Sequence, residues 1–298
     1  MVFFFKLAPI SVIIPVYNRK SYILKTLYAL AHNKYDFSKL EVIIADDGSS
    51  DGLQREIVNH TFPYTLKYVH QKDKGYRLAK IRNEALKVAS HSYIIFLDCD
   101  MVPSRDFLRA HLNVLLKHPT AVSLGHREFV SFESITIPFI QDNLRAIDSL
   151  PRVAHRKTGS DEDWRVEFYK NTHNLQHCSE PYWACVGGNF GAATALIINA
   201  GLFDEDFTEW GREDTELGYR LHKLGAKFMP NRSAVAYHLD HPVSMKKINA
   251  SIERMHILFE RKIKKWQEKL KRVNNPYFSN IPTKLKEERG IVFYSARG

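Results

Sequence analysis

The sequence has only three cysteines, Cys99, Cys178 and Cys185, at unrelated spacings. They provide neither a disulfide framework nor a zinc pattern, so a reducing cytoplasm is the expected compartment. Long apolar runs are missing too: none approaches the ~20 residues a membrane span needs. The N-terminal "MVFFFKLAPISVIIPV" is apolar, but Lys6 and Pro9 interrupt it. It has no basic leader and no small-residue cleavage site, so it does not read as a signal peptide. The glycine-rich dinucleotide fingerprint and the P-loop are both absent. No linker, repeat or low-complexity segment divides the chain.

What remains is a chain of 298 residues, 44% hydrophobic and 26% charged, which is a globular balance. The net charge of +10 comes largely from the C-terminal "MKKINASIERMHILFERKIKKWQEKLKRV". No short basic module of the nucleic-acid-reading kind is present, and no nucleic-acid partner is expected. A nucleotide diphosphate, an anionic polymer or an anionic membrane face fits the charge as well.

The first hundred residues alternate strand and helix. "PISVIIPVYN", "LEVIIADDGSSDG", "YTLKYVHQ" and "SYIIFLDCD" read as strands, with "RKSYILKTLYALAHN", "GLQREIVNH" and "YRLAKIRNEALKVAS" as helices between them. Near-continuous apolar strands alternating with helices predict an α/β fold with a mostly parallel central sheet covered on both faces. Residues 104–118 read as a helix, "TAVSLGHREFVSF" as a strand, and "EDTELGYRLHKLGAKFMP" as an amphipathic helix that Gly225 can cap. "SAVAYHLDHP" reads as a last strand, and "GSDEDW" as a mobile loop. The expected organisation is one domain over 1–243 with a basic helical extension over 244–298 packed on it.

Ligands of such sheets bind outside the carboxyl ends of the strands. Three strands here end in polar groups: Asn18, then Asp46 and Asp47, then Asp98 and Asp100. Unpaired carboxylates at the tip of a buried strand are costly. Two of them suit a hard divalent cation that leaves positions open for phosphates. If the strand continued, Asp98 and Asp100 would point the same way. The plainer reading of the pair is a turn or cap. His238 ends a late strand, and a histidine beside carboxylates would favour Mn²⁺ over Mg²⁺; His241 competes for that role. "PVYNR" and "ADDGSSDG" are strand-to-helix junctions able to hold a phosphate or a ring carbonyl, or simply N-caps supplied by Asn18 and Asp51. Glu213 and Asp214 open a helix, where acids also compensate the dipole. "GGN" at 187–189 leaves room for close approach of a ligand.

In order, "SVIIPVYNR", "ADDGSSDG", "RNEAL", "FLDCDM", "GREDTELGYR" and "AYH" resemble glycosyltransferase family 2 with the GT-A fold, over roughly residues 9–240. "DKGYRLAKIRN", "LDCDMVPS", "DSLPRV", "DWRVEF", "KNTHNL" and "GLFDEDFTEWGRED" are similar to the N-acetylgalactosamine-transferring domains of bacterial chondroitin polymerases and the related two-domain hyaluronan synthases. The resemblance implies an inverting transferase moving a hexosamine from a UDP-sugar to a carbohydrate, lipid-linked or peptide hydroxyl. It implies Mn²⁺ on Asp100 and His238, with Asp98 near ribose and metal and Mg²⁺ as the substitute ion. Pro15, Tyr17, Asn18, Arg19 and Asp47 match uridine-contacting positions. Tyr76, Arg82, Asp98 and Cys99 fall near the nucleotide, and Asn189, Trp210 and Gly211 on the sugar side. Asp214 matches the general base, with Glu213 orienting the acceptor. The chain's length leaves no room for a second transferase domain, so addition of one sugar is the expectation. Competing readings are a UDP-glucose or UDP-galactose transferase on a peptide or lipid acceptor, and a non-catalytic nucleotide- or polyanion-binding protein. Cytoplasmic, peripheral membrane contact through the basic helix is the expected setting.

Overall fold

A computed structural model describes residues 8–154, 159–242 and 244–272. Its centre is an eight-stranded sheet. The strands are β1 (Ile10–Val16), β2 (Leu40–Asp46), β3 (Thr65–His70), β4 (Tyr93–Leu97), β5 (Met101–Pro103), β6 (Ala121–Val130), β7 (Asn189–Ala193) and β8 (Lys227–Leu239), in the order β3-β2-β1-β4-β7-β6-β8-β5. The α-helices are α1 (Lys20–Leu30), α2 (Leu53–Ile57), α3 (Leu78–Val88), α4 (Phe107–Lys117), α5 (Ile137–Asn143), α6 (Arg165–Asn171), α7 (Thr194–Asn199), α8 (Glu213–Lys223) and α9 (Met245–Arg272).

The β-branched runs of β1 and β2 are buried along their whole length. Alternate residues of β1 feed opposite layers: Val12 and Ile14 pack with Leu27 and Leu108 on one face, and Ile13 with Ile81 and Leu217 on the other. The sheet is thus covered on both faces, as continuous apolar strands require. The β3-β2-β1-β4 half is parallel, and so is β6 with β8. β7 runs antiparallel to both β4 and β6, and β5 antiparallel to β8. Reversing β7 brings its amino end, with Gly187 and Gly188 before it, beside the carboxyl end of β4, where Leu97 pairs with Asn189.

Three sequence expectations change. β8 starts at Lys227, well before "SAVAYHLDHP", because it follows β6 along its full length across an irregularity between Gly125 and His126. β5 begins one residue after Asp100 and was not foreseen, since three residues carry no periodicity. The supposed mobile loop is anchored at Asp163, which is buried and bound to Arg165 at 2.7 Å and Arg127 at 3.3 Å. Gly225 stands in the left-handed region at φ 80° and closes α8 as expected, with Ala226 N donating to Leu221 O at 3.0 Å. The C-terminal helix is present as α9 over 245–272, and Met255 and Phe259 enter the core beside α8. Among the described residues no helix is long and apolar enough to cross a membrane.

Candidate active site

Because β2, β1 and β4 are parallel neighbours, their carboxyl ends form one rim. Asn18 takes φ 50° there, and its Oδ1 accepts from Ser50 N at 2.8 Å. Asp51 accepts from Lys20 N at 2.8 Å, so it caps α1, the helix after the neighbouring strand, as well as bonding Leu53 N. Asp51 thus satisfies the first amide of each helix, whereas Asn18 bonds the turn before α2 and caps neither, the N-cap positions being Arg19 and Gly52. Tyr17 is exposed, and its hydroxyl donates to Asp73 at 3.0 Å. Asp47 is buried and accepts from Arg77 N at 2.8 Å and from Gln71; burial pushes its carboxyl up. Pro15 lies inside β1, opposite Ala45.

The two acids of "DCD" do not point the same way. β4 ends at Leu97, and the chain turns at once, with Met101 N donating to Asp98 O at 3.1 Å. Asp98 turns to Arg82, which donates to it at 3.2 Å. Asp100 turns to the end of β8. Its Oδ2 lies 3.2 Å from His241 Nε2 and 3.7 Å from His238 Nε2. One ligand atom from each of these three residues lies within 4.8 Å of the others. Burial by itself would raise the Asp100 carboxyl, but His238, His241 and Arg19 hold it down to about 2. Asp100 Oδ1 is buried with no hydrogen-bond partner among the described residues. A buried anionic oxygen left open beside two imidazoles is a mixed O/N donor set that fits a divalent metal ion. His241, the competing histidine, joins His238 here, whereas Asp98 stands outside the trio.

Arg82 ties the rest of the site together. It is 1% exposed, and its guanidinium donates to Glu213 Oε1 at 2.9 Å as well as to Asp98. Its Nη1 and Nη2 thus each hold a carboxylate, while Nε has no partner among the described residues. A Cβ at Gly187 would lie 2.6 Å from Arg82 Nη2, and one at Gly188 2.7 Å from Asp98 Oδ2, so "GG" makes room for this network. Gly187 N in turn donates to Asp214 Oδ2 at 2.6 Å, while Thr215 N donates to Asp214 Oδ1 at 2.7 Å. Two backbone amides thus fix the Asp214 carboxylate. Burial raises the Tyr76 hydroxyl, and the nearby Glu213 carboxylate adds to the shift.

Asn189 and Cys99 are both buried. The Asn189 side chain turns inward. Its Nδ2 donates to the His126 and Ala234 carbonyls at 3.0 and 3.1 Å, so its Oδ1 accepts from His111 Nε2 at 2.9 Å. His111 is fully buried, and desolvation lowers it to about 4, which keeps the ring neutral. Cys99 is buried among Leu27-side core residues, and its carbonyl accepts from Thr26 Oγ1 at 2.8 Å. Sequence reading also passed over Asn83. It bonds both Phe203 N and Phe203 O at 3.0 Å and Glu205 at 2.9 Å. Its place beside Arg82 in "RNEAL" was the available signal.

Glu213 is 4% exposed, and Oε2 has no partner among the described residues. Burial and the adjacent Asp214 outweigh the Arg82 pair and push its carboxyl up to about 7. A folded-state value above the unfolded one means that the native chain binds the extra proton. The group's stability contribution is therefore greatest below the unfolded value and falls as pH rises through about 7. Glu213→Gln should remove this dependence. Melting temperatures measured from pH 5 to 8 should decline less in the variant than in the wild type, and parallel curves would contradict the assignment.

The sheet, with acids at its rim and two late histidines, defines an α/β protein of the GT-A class. The family model for glycosyl transferase family 2 matches residues 11–179, and the model for the N-terminal domain of galactosyltransferase matches 169–242. The chain belongs to glycosyl transferase family 2. It is 36% identical to the chondroitin synthase of Escherichia coli over 242 residues, covering 78% of this chain and 35% of that protein. It is 31% identical to the hyaluronan synthase of Pasteurella multocida over 240 residues, covering 78% of this chain and 25% of that protein. The chain thus spans about a third or less of these relatives' length. Among solved structures, S. aureus TarS 1-349 in complex with UDP-GlcNAc shares the fold, with a TM-score of 0.58 at 21% identity over 79% of this chain and 60% of that one.

Proposed function

We propose that the chain transfers an N-acetylhexosamine, N-acetylgalactosamine first, from a UDP-sugar to a carbohydrate hydroxyl with inversion. The observation that carries this reading is the fixed Asp214 carboxylate beside the network that joins Glu213, through Arg82, to Asp98. Asp214 takes the proton of the acceptor hydroxyl. The acceptor oxygen bonds to the anomeric carbon as the bond from that carbon to the diphosphate breaks, and UDP leaves with the electron pair. A single displacement needs one base, whereas a glycosidase needs two opposed carboxyls with different protonation. Tyr17, Asn18, Arg19 and Asp47 line the nucleotide end of the rim.

Asp100, His238 and His241 would hold the divalent ion, Mn²⁺ in preference to Mg²⁺. Bound there, the ion supplies charge neutralisation for the leaving diphosphate. Similarity to a chondroitin synthase supports the sugar and a glycan acceptor, and the TarS complex supports a UDP-sugar as donor. A panel of UDP-sugars read by UDP release tests this. UDP-N-acetylgalactosamine is expected to give the highest turnover, with UDP-N-acetylglucosamine second. Turnover only with UDP-glucose or UDP-glucuronate would overturn the sugar assignment.

A further inference from the structure

"GLFDEDFTEWGRED" holds more acids than the chemistry uses. Asp204, Asp206 and Glu209 precede the catalytic pair, and none of them reaches the metal trio or Arg82. All three face α9. Lys262 pairs with Asp204 at 2.6 Å and also binds Asp206. Arg254 Nε donates to both oxygens of Glu209, at 2.9 and 3.0 Å. One turn before Arg254, Ser251 Oγ donates to the Trp210 carbonyl at 2.9 Å, and Ser251 is itself buried. At Gly211, where φ is 109°, a Cβ would touch Ile252 at 3.8 Å. Further along, Phe259 packs against Trp183 at 5.3 Å, and Trp183 carries the Arg212 guanidinium 4.9 Å above its ring.

The segment 203–212 is therefore held from two sides. Asn83 pins its start to α3, and Arg82 pins Glu213 just past its end. Its outer face rests on α9 and, at Arg212, on Trp183. This segment leads directly into Asp214 and presents Trp210, 44% exposed, next to it. We propose that α9 is a brace that sets the position of 203–212, with Arg254 and Lys262 as positioning residues, so that a helix outside the sheet governs acceptor binding. The proposal rests on the transferase reading above for its kinetic consequence, and on the ion pairs alone for its structural one.

The test uses the full chain with Arg254→Glu, Lys262→Glu, the double variant, and the charge swap Arg254→Glu with Glu209→Arg. Hydrogen–deuterium exchange is followed in peptides covering 203–212 and in peptides of β1 to β4. Kinetics are measured with UDP-N-acetylgalactosamine and a chondroitin oligosaccharide, and UDP release without acceptor is measured alongside. An exposed ion pair is worth at most about a fivefold change, and a bidentate arginine sits at the upper end. Each single reversal should raise acceptor KM by about that factor, leaving donor KM and acceptor-free UDP release as in the wild type. Exchange should quicken in 203–212 and not in β1 to β4, and the charge swap should restore both readouts. If the wild type fails to use the oligosaccharide, the acceptor reading fails, and exchange still decides the brace. Wild-type exchange at 203–212 in the double variant, a swap that restores nothing, or a donor KM that moves with acceptor KM would overturn it.

Discussion

Asp100→Ala is expected to abolish transfer and to weaken UDP binding. Asp100 is the only carboxylate of the trio, and its open, buried Oδ1 is the strongest acceptor there. Losing an outer-shell partner already costs ~10–100-fold in metal affinity or activity, and loss of a direct anionic ligand should exceed that. Without the carboxylate, two imidazoles remain, which suit Mg²⁺ poorly. Turnover should vanish in excess chelator and return with Mn²⁺ more fully than with Mg²⁺. Titration calorimetry of Mn²⁺ with UDP present should show weaker binding for His238→Ala and for His241→Ala, because both rings reach Asp100. Full activity of the wild type in excess chelator would refute the metal assignment.

Asp214→Asn should reduce transfer by ~10²–10⁴-fold, the usual contribution of a positioned general base, with UDP and Mn²⁺ affinities near those of the wild type. The carboxylate accepts from two backbone amides, those of Gly187 and Thr215. An asparagine offers one oxygen for the two donors, so a stability loss of ~1 kcal/mol is expected, and transfer must be measured well below the melting temperature. Glu213→Gln should do less to kcat and more to acceptor KM, since Glu213 is buried against Arg82. The reverse pattern, with Glu213→Gln inactive and Asp214→Asn nearly intact, would move the base to Glu213, whose Oε2 has no partner among the described residues.

The alternation of buried strands and helices could be read from the sequence because period and β-branching are local properties. So could the rim: acids at strand tips break the apolar pattern wherever they occur, which brought Asp47, Asp98 and Asp100 forward, while Asp214 stood out in the first turn of a helix. The order of motifs was enough to identify the family. What sequence reading assigned less well were side chains whose partners lie far along the chain. Arg82 meets Glu213 across 131 positions, and Asn189 meets His111 across 78. Nothing local to an arginine near a nucleotide motif, or to an asparagine after two glycines, names the carboxylates and carbonyls that the sheet places around them.

The sequence by itself determined the fold class, the glycosyltransferase family and the acids worth attention. The tertiary structure decided where those acids turn. Strand β4 stops at Leu97 and β7 runs backwards beside it, so Asp98 meets Arg82 while Asp100 meets His238 and His241 on β8 and just beyond. Direction of this kind depends on which strands become neighbours. Residue type fixes what a side chain can bind, but only the packed sheet fixes which partner comes within hydrogen-bonding distance.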